Sequence, residues 1–266
     1  MNIIVCIKMI QDPEIPPPKF KINEQSLEVI PPEGIPPVIN PYDEQAVELS
    51  LRLKERHGGR VTVLSAGDNS SLKAIRHALA MGADEGVLLC DKAFKVSDSY
   101  ALAYILSLAV KKIASFDLVM CGRQAADWDE GLVGSFLAAE LGMPLVTLAY
   151  EVSPADGKLT IKRATLDGYQ IFSVALPAVI TVSNKVGKTR LPSGWGIIDA
   201  SSKEVPVWSA EDIEADSSLI KSRASSRKLV KLFLPELKRK GEILEGKNVD
   251  EACSLLAEKL RDSGVI

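Results

Sequence analysis

The sequence predicts a doubly wound α/β fold: a parallel sheet covered by helices on both faces, with an antiparallel extension and a C-terminal arm. Three observations predict it. Up to Pro144, short apolar, β-branched runs alternate with helical patterns. Those runs are apolar on both faces, as strands are when helices cover both sides of a sheet. After Pro144, strand-like runs follow one another through tight turns, as antiparallel strands do.

Each element has a local reason. Ile3–Ile7 is β-branched and forms the first strand. Pro13, Pro16, Pro17, Pro18, Pro31, Pro32, Pro36 and Pro37 exclude a helix between residues 12 and 39, leaving a long loop with a short strand at Ser26–Ile30. Asn40-Pro41-Tyr42-Asp43-Glu44 opens a helix: Asn40 is the N-cap, Pro41 takes the first helical position, and the two acids favour the positive end. Ala46, Leu49 and Leu53 give it an apolar face, and Gly58-Gly59 ends it. Val61–Leu64 is a strand, Ser70–Met81 a helix closed by Gly82, and Gly86–Cys90 a strand. Ser97 or Asp98 caps a helix to about Ala114, Asp117–Cys121 is a strand, and Trp128–Leu141 is a helix closed by Gly142-Met143-Pro144. The extension is Leu145–Val152, Lys158–Leu166 and Tyr169–Ala175, turning at Pro154-Ala155-Asp156-Gly157 and Asp167-Gly168; Pro177–Val182 is a further buried strand. Residues 184 to 248 are polar, turn-rich and too poor in apolar side chains to fold alone, so they lie on a partner or back on the body. A last amphipathic helix spans Val249–Arg261.

Composition excludes several classes. The chain has 266 residues, enough for one large or two small domains, and its 46% hydrophobic and 25% charged residues are ordinary for a globular protein. A net charge of −3 argues against a protein that grips nucleic acid. No apolar run approaches the ~18 residues that span a bilayer. Cys6, Cys90, Cys121 and Cys253 form no CxxC pair, so they read as free thiols rather than a metal or redox motif. No secretory leader or disulfide framework is visible, so the expected location is the cytoplasm. His57 and His77 sit beside Arg56 and Arg76 on helices and read as surface residues, which disfavours a triad or a histidine metal site.

No Gly-x-Gly-x-x-Gly follows a strand, and Gly187-Lys188-Thr189 lacks the earlier glycine and the following helix of a P-loop. The positive signal lies at strand ends. In a parallel α/β sheet, ligands bind outside the carboxyl ends of the strands. Three such ends are Cys6-Ile7-Lys8, Ser65-Ala66-Gly67-Asp68 and Cys121-Gly122-Arg123-Gln124. The third leads through Ala125-Ala126-Asp127-Trp128-Asp129-Glu130 into Gly131-Leu132-Val133-Gly134, where backbone N–H groups at a helix start suit a phosphate and the glycines permit close approach. Arg123 supplies positive charge. Asp127 and Asp129 are awkward beside a phosphate and suit a helix cap or a ribose hydroxyl instead. An ordinary βα loop remains the competing reading.

Several stretches, taken in order, resemble one family. Asn40-Pro41-Tyr42-Asp43-Glu44-Gln45-Ala46-Val47-Glu48 matches its Asn-Pro-aromatic helix start; Ala78-Leu79-Ala80-Met81-Gly82-Ala83-Asp84 and Gly122-Arg123-Gln124-Ala125-Ala126-Asp127 match two further segments. Arg163, Asp167-Gly168, Gln170 and Leu176-Pro177-Ala178-Val179-Ile180-Thr181 follow its signature strand pair. On these residues the chain resembles, over nearly its whole length, the beta subunit of electron transfer flavoproteins, including FixA-type members. The resemblance implies an adenine-nucleotide-binding, Rossmann-like sheet in residues 1–183. It implies that residues 184–266 form an arm with a partner-recognition loop and a last helix on an alpha subunit that carries one FAD. The beta subunit itself holds AMP, or a second FAD that splits electron pairs. Its nucleotide contacts carry over to Cys6, Asn40, Pro41, Tyr42, Asp43 and Ala66, and to the run from Gly122, Arg123, Gln124 and Ala125 through Asp127, Trp128, Asp129, Glu130, Gly131, Leu132 and Val133 to Gly134.

Two departures refine this. Val133 stands where AMP-binding members have a threonine, and Arg123 and Val133 are closer to the bifurcating members, as is Ser97-Asp98-Ser99-Tyr100-Ala101; this favours FAD. Trp128 replaces a glycine of those members, so its indole stacks on a ring, blocks one, or lies in the loop untouched. In the recognition loop, Gly187 to Ile198, Gly194-Trp195 occupies the place of the family's leucine anchor for an acyl-CoA dehydrogenase, with Leu191 and Ile197 as substitutes. A loop tucked against the alpha subunit is the alternative. The expected function is electron transfer from a dehydrogenase, of acyl-CoA type, or from NADH, out through the alpha-subunit flavin, with Arg123 tuning the flavin potential. A non-redox nucleotide-binding regulatory module and a purely structural subunit remain as alternatives.

Overall fold

Period-two alternation in Ile3–Ile7 (β1) decides the layering. Ile3, Val5 and Ile7 join one core cluster, whereas Ile4 and Cys6 join a second on the other face. The structure, a computed structural model, describes residues 1–96, 98–113, 115–155, 157–225, 229–235 and 241–266. After β1 come Met9–Ile10 (β2), a hairpin of Lys21–Asn23 (β3) and Glu28–Ile30 (β4), and Val38–Ile39 (β5). The α/β body then runs Pro41–His57 (α1), Val61–Ala66 (β6), Leu72–Met81 (α2), Glu85–Leu89 (β7), Ser99–Ile113 (α3), Leu118–Gly122 (β8) and Val133–Leu141 (α4). Leu145–Ala155 (β9), Lys158–Ala164 (β10), Tyr169–Ala175 (β11) and Ala178–Val182 (β12) follow, then Gly194–Ser202 (α5), Val207–Trp208 (β13), Ser217–Ala224 (α6) and Val249–Asp262 (α7).

Nine strands form one sheet in the order β11-β10-β9-β12-β8-β1-β6-β7-β13. From β9 to β13 all neighbours are parallel, and β10 and β11 add the antiparallel extension. The chain moves outward from β1 to β6 and β7, then returns to β8 on the other side of β1. That reversal is the topological switch point, and it opens a crevice outside the carboxyl ends of β1 and β8. Residues of α1 and α2 (Ala46, Val47, Leu53, Ile75, Leu79) pack on one face of the sheet. Residues of α3 and α4 (Tyr104, Ile105, Ala109, Leu137, Ala138) pack on the other. The predicted doubly wound sheet with its antiparallel extension is thus the observed architecture.

The structure moves several boundaries for tertiary reasons. The Pro-rich segment holds β4 two residues shorter than expected and a partner strand, β3, that was not expected. Its turn is made by Asn23, whose side chain accepts from the amides of Gln25 and Ser26. Helix α4 begins at Val133 rather than Trp128, because Asp129 (φ 53°) and Gly131 (φ 65°) are left-handed and break any helix through them. Asp98 caps α3 through the Tyr100 amide. The other candidate cap, Ser97, the expected helix end at Ala114 and the turn residue Asp156 lie outside the described residues.

Part of the polar C-terminal segment lies back on the body. β13 extends the parallel sheet beside β7, with the amides of Leu88 and Cys90 donating to Pro206 and Trp208. α5 rests on α2: Arg76 donates to the carbonyls of Ala200 and Lys203, and Lys203 donates to Ala83. The approach is so close that a Cβ on Gly196 would fall 2.3 Å from the Ala80 carbonyl oxygen. α6 docks on α3 through Arg223, whose guanidinium lies 4.4 Å and 4.5 Å from the rings of Tyr100 and Tyr104 and pairs with Glu140. These attachments use backbone and cationic groups, which a count of apolar residues misses. α7 buries no residue, and Val249 and Leu256 on it are exposed. Among the described residues, no helix is long and apolar enough to cross a membrane.

Candidate functional site

Five elements converge on the crevice, and one carboxylate ties three of them. Asp43, in the first turn of α1, accepts from the Lys8 amide at 2.8 Å and the Gly122 amide at 3.0 Å. It therefore bridges the ends of β1 and β8 where the switch point pulls them apart. Burial pushes the Asp43 carboxyl up to about 7, against the lowering effect of the Asn40 side chain, of those amide donors and of the Lys8 charge. Below it, Cys6 and Cys121 are neighbours in register on β1 and β8. Contact with Cys6 and burial raise the Cys121 thiol well above its ordinary range, so it stays protonated in the crevice floor.

Asn40 stands at the expected N-cap position of α1, but its side chain makes no cap. Its amide nitrogen donates to the Gln124 carbonyl at 2.8 Å, and its amide oxygen accepts from Ala126 at 3.1 Å. Asn40 thus staples the 123–126 loop to the start of α1. Replacing Asn40 with Ala should cost about 1–3 kcal/mol, because two part-buried backbone groups lose partners. Asn40→Asp, an equally good cap, should fail to restore the loss, since it offers Gln124 no donor. Urea unfolding of both variants checks this; full rescue by Asp would mean that Asn40 acts as an ordinary cap.

The acids of the loop are each engaged. Asp127 pairs with Lys8 at 2.6 Å, Asp129 accepts from the Gln124 side chain, and Glu130 accepts from Ser99. None of them caps α4, whose start at Leu132 has no side-chain cap. By contrast, Asp98, Ser193, Asp216 and Asn248 cap α3, α5, α6 and α7, and Asp68 caps the turn leading into α2. Among the described residues, the two helices with uncapped starts and no capped lead-in turn, α1 and α4, are the ones that begin at the switch point. At α1, Pro41 has no N–H and the Asp43 and Glu44 amides donate to the Asn40 carbonyl, so it is the first-turn N–H groups of α4, with the positive end of its dipole, that make a place for an anion.

The glycines fix how closely these parts meet. A Cβ on Gly134 would stand 2.5 Å from the Thr181 methyl, and one on Gly131 would stand 3.2 Å from the Arg123 carbonyl oxygen. Arg123 lies half-buried with its guanidinium 5.3 Å from the Tyr42 ring, and its Nε donates to the Gln124 side chain. Pro41 and Leu132 are exposed, Ala125 is half-buried, Val133 packs against the core, and Trp128 is half exposed on the turn. Ala66 lies one strand away, at the end of β6. The sequence names Lys8 only as part of a strand end and Ser99 only within a family-like stretch; the structure gives each a loop acid to hold, Asp127 and Glu130.

A second set of expected residues lies elsewhere. Leu191 and Trp195 are each 81% exposed and Ile197 is 56% exposed, with Gly194 opening α5 between them. Ile198, at 61%, extends this apolar stretch. His77, expected on the surface, is half-buried and hydrogen-bonds the Glu44 carboxylate at 2.8 Å.

Comparison with known proteins gives a consistent result. The electron transfer flavoprotein domain matches residues 29–213. An electron transfer flavoprotein subunit beta of Thermoanaerobacterium thermosaccharolyticum is 40% identical, with all of both chains covered. That of Clostridium acetobutylicum is 37% identical, again over all of both chains. The caffeyl-CoA reductase-Etf complex subunit CarD of Acetobacterium woodii is 35% identical over the same full span.

Proposed function

The chain belongs to the electron transfer flavoprotein family as a beta subunit, and we propose that it transfers electrons as one half of a heterodimer, holding an adenine nucleotide at the switch point. The observation that carries the nucleotide reading is the uncapped start of α4, set against the carboxyl end of β8 at the crevice. The residues fit such a ligand. Gly131 and Gly134 let the loop and the start of α4 close against Arg123 and Thr181, the loop acids are held by Lys8, Gln124 and Ser99, and Arg123 adds a cation.

FAD is favoured over AMP, with AMP as the structural alternative. FAD, when bound, supplies one- and two-electron redox chemistry. The chain's own task is to hold and tune it: Asn40 and Asp43 fix the crevice walls, the start of α4 takes phosphate, and Arg123 stabilises negative charge. Residues 1–183 form the nucleotide-holding unit in this reading, and the segment from 184, with α7 and its exposed apolar side chains, meets an alpha subunit that carries its own FAD. Leu191, Gly194, Trp195 and Ile197 present an apolar surface to a redox partner. That partner is an acyl-CoA-linked enzyme, a reading supported by the caffeyl-CoA reductase complex named for one relative.

The test is ligand identity. The chain is co-expressed with its alpha subunit, purified and heat-denatured, and the released nucleotides are separated by chromatography. Two FAD per heterodimer is the expected result. One FAD with one AMP would overturn the FAD assignment, and no nucleotide beyond the alpha-subunit FAD would overturn the site. In the two-FAD case, Arg123→Ala should lower the potential of the second flavin by on the order of 30 mV, equivalent to about 1.4 kcal/mol for a two-electron couple. An unchanged potential would remove Arg123 from that role.

A further inference from the structure

One face of α1 carries Glu44, Gln45, Glu48, Arg52 and Glu55, and all five side chains engage a single short segment, residues 186–190. Gln45 donates to the Gly187 carbonyl at 2.9 Å, and Arg52 donates to the carbonyls of Val186 and Lys188, each at 3.0 Å. Thr189 donates to Glu44 at 3.2 Å. Arg190 donates to Glu48 from its backbone amide at 3.1 Å and from Nε at 2.8 Å, and its other nitrogens reach Glu55. Glu48 is only 3% exposed, because this segment covers it, and its second oxygen accepts from Arg52 at 2.6 Å. Burial alone would raise the Glu48 carboxyl; the bonds from Arg190 and Arg52 outweigh it and keep the group ionised.

So dense a clamp is not needed to hold α1. Its opposite face already buries Ala46, Val47, Leu49 and Leu53 in the core. The clamp fixes the segment instead, and that segment leads directly into Leu191 and Trp195. The geometry points to Glu48 and Arg190 as positioning residues: they hold the Leu191–Ile198 surface at a set place on the helix whose other end lines the crevice. This rests on the reading of that surface as the partner contact. A flexible loop would pay an ordering cost at every encounter, whereas a clamped one presents its apolar side chains ready for contact.

The test uses the co-expressed heterodimer carrying Glu48→Gln or Arg190→Gln. Two readings are taken: trypsin cleavage after Lys188 in the native complex, and steady-state electron uptake from an acyl-CoA dehydrogenase reduced with butyryl-CoA. Loss of a charged hydrogen-bond pair predicts cleavage and KM for the dehydrogenase each rising about tenfold, with kcat, bound nucleotide and thermal midpoint nearly unchanged. Unchanged cleavage would show that the pair does not hold the segment. Faster cleavage with unchanged KM would show that the position of the segment is irrelevant to docking. A wild-type complex that takes no electrons from this donor overturns the docking reading itself, and with it this one.

Discussion

Gly122→Ala should unfold the crevice end of the molecule more than its small size suggests. A Cβ there would lie 2.4 Å from Asp43 Oδ1, 2.7 Å from the Tyr42 carbonyl carbon and 2.8 Å from the Asp43 amide nitrogen. Two of those atoms are backbone, and α1 cannot retreat, because Ala46, Val47 and Leu53 are buried immediately behind. Overpacking of this kind costs about 1–3 kcal/mol. The same shift pulls Asp43 off the Gly122 amide, adding the cost of a buried donor without a partner, about 1–3 kcal/mol. Urea unfolding should show the combined loss, and AMP or FAD affinity should fall at least tenfold, about 1.4 kcal/mol. Gly194→Ala is the control: no atom lies within 4 Å of its Cβ position, and its φ is not left-handed. Equal unfolding midpoints for the two variants would mean that α1 is not locked against β8.

The layers of this fold were legible because burial on both faces of a strand leaves a mark in every residue. Ile3–Ile7 admits no polar side chain, and each of its residues is buried. The start of α1 was legible from Asn40-Pro41, and the strand ends that meet at the switch point followed from the strands. Contacts between distant segments left no mark. Asn40 looked like a cap, yet its side chain serves Gln124 and Ala126, more than eighty residues away. The start of α4 was misplaced because the left-handed turn at Asp129 is imposed by the loop around it, and aspartate there reads equally well as a helix start. β13 was invisible because a two-residue strand carries no periodicity; the edge of β7 selects it. The ordered set of weak motifs, not any one of them, carried the family assignment.

Asp43 should give the protein a stability that depends on pH in the less usual direction. A surface carboxylate paired with a cation has a lowered pKa and stabilises the fold as pH rises. Asp43 is 7% exposed, and burial raises its pKa from 3.8 to about 7. The folded chain therefore binds this proton more tightly than the unfolded chain. Its contribution is fully present below about pH 4 and is lost as pH climbs through about 7, a swing on the order of 4 kcal/mol for a shift of about three units. Even ionised, the carboxylate keeps the Lys8 and Gly122 amides as donors, so the crevice loosens without coming apart. Asp43→Asn separates the two effects. An amide cannot ionise, and its NH2 cannot accept an N–H as the hydroxyl oxygen of a protonated carboxyl can, so the variant leaves one of the two N–H donors unpaired and should be about 1–3 kcal/mol less stable at pH 5. Between pH 5 and 8 its urea midpoint should fall less than that of the wild type. Parallel curves for the two proteins would mean that Asp43 is ionised throughout, with the Asn40 side chain and the two amides overcoming burial. The start of α1 would then hold a permanent negative charge, which would weaken the crevice as a place for phosphate.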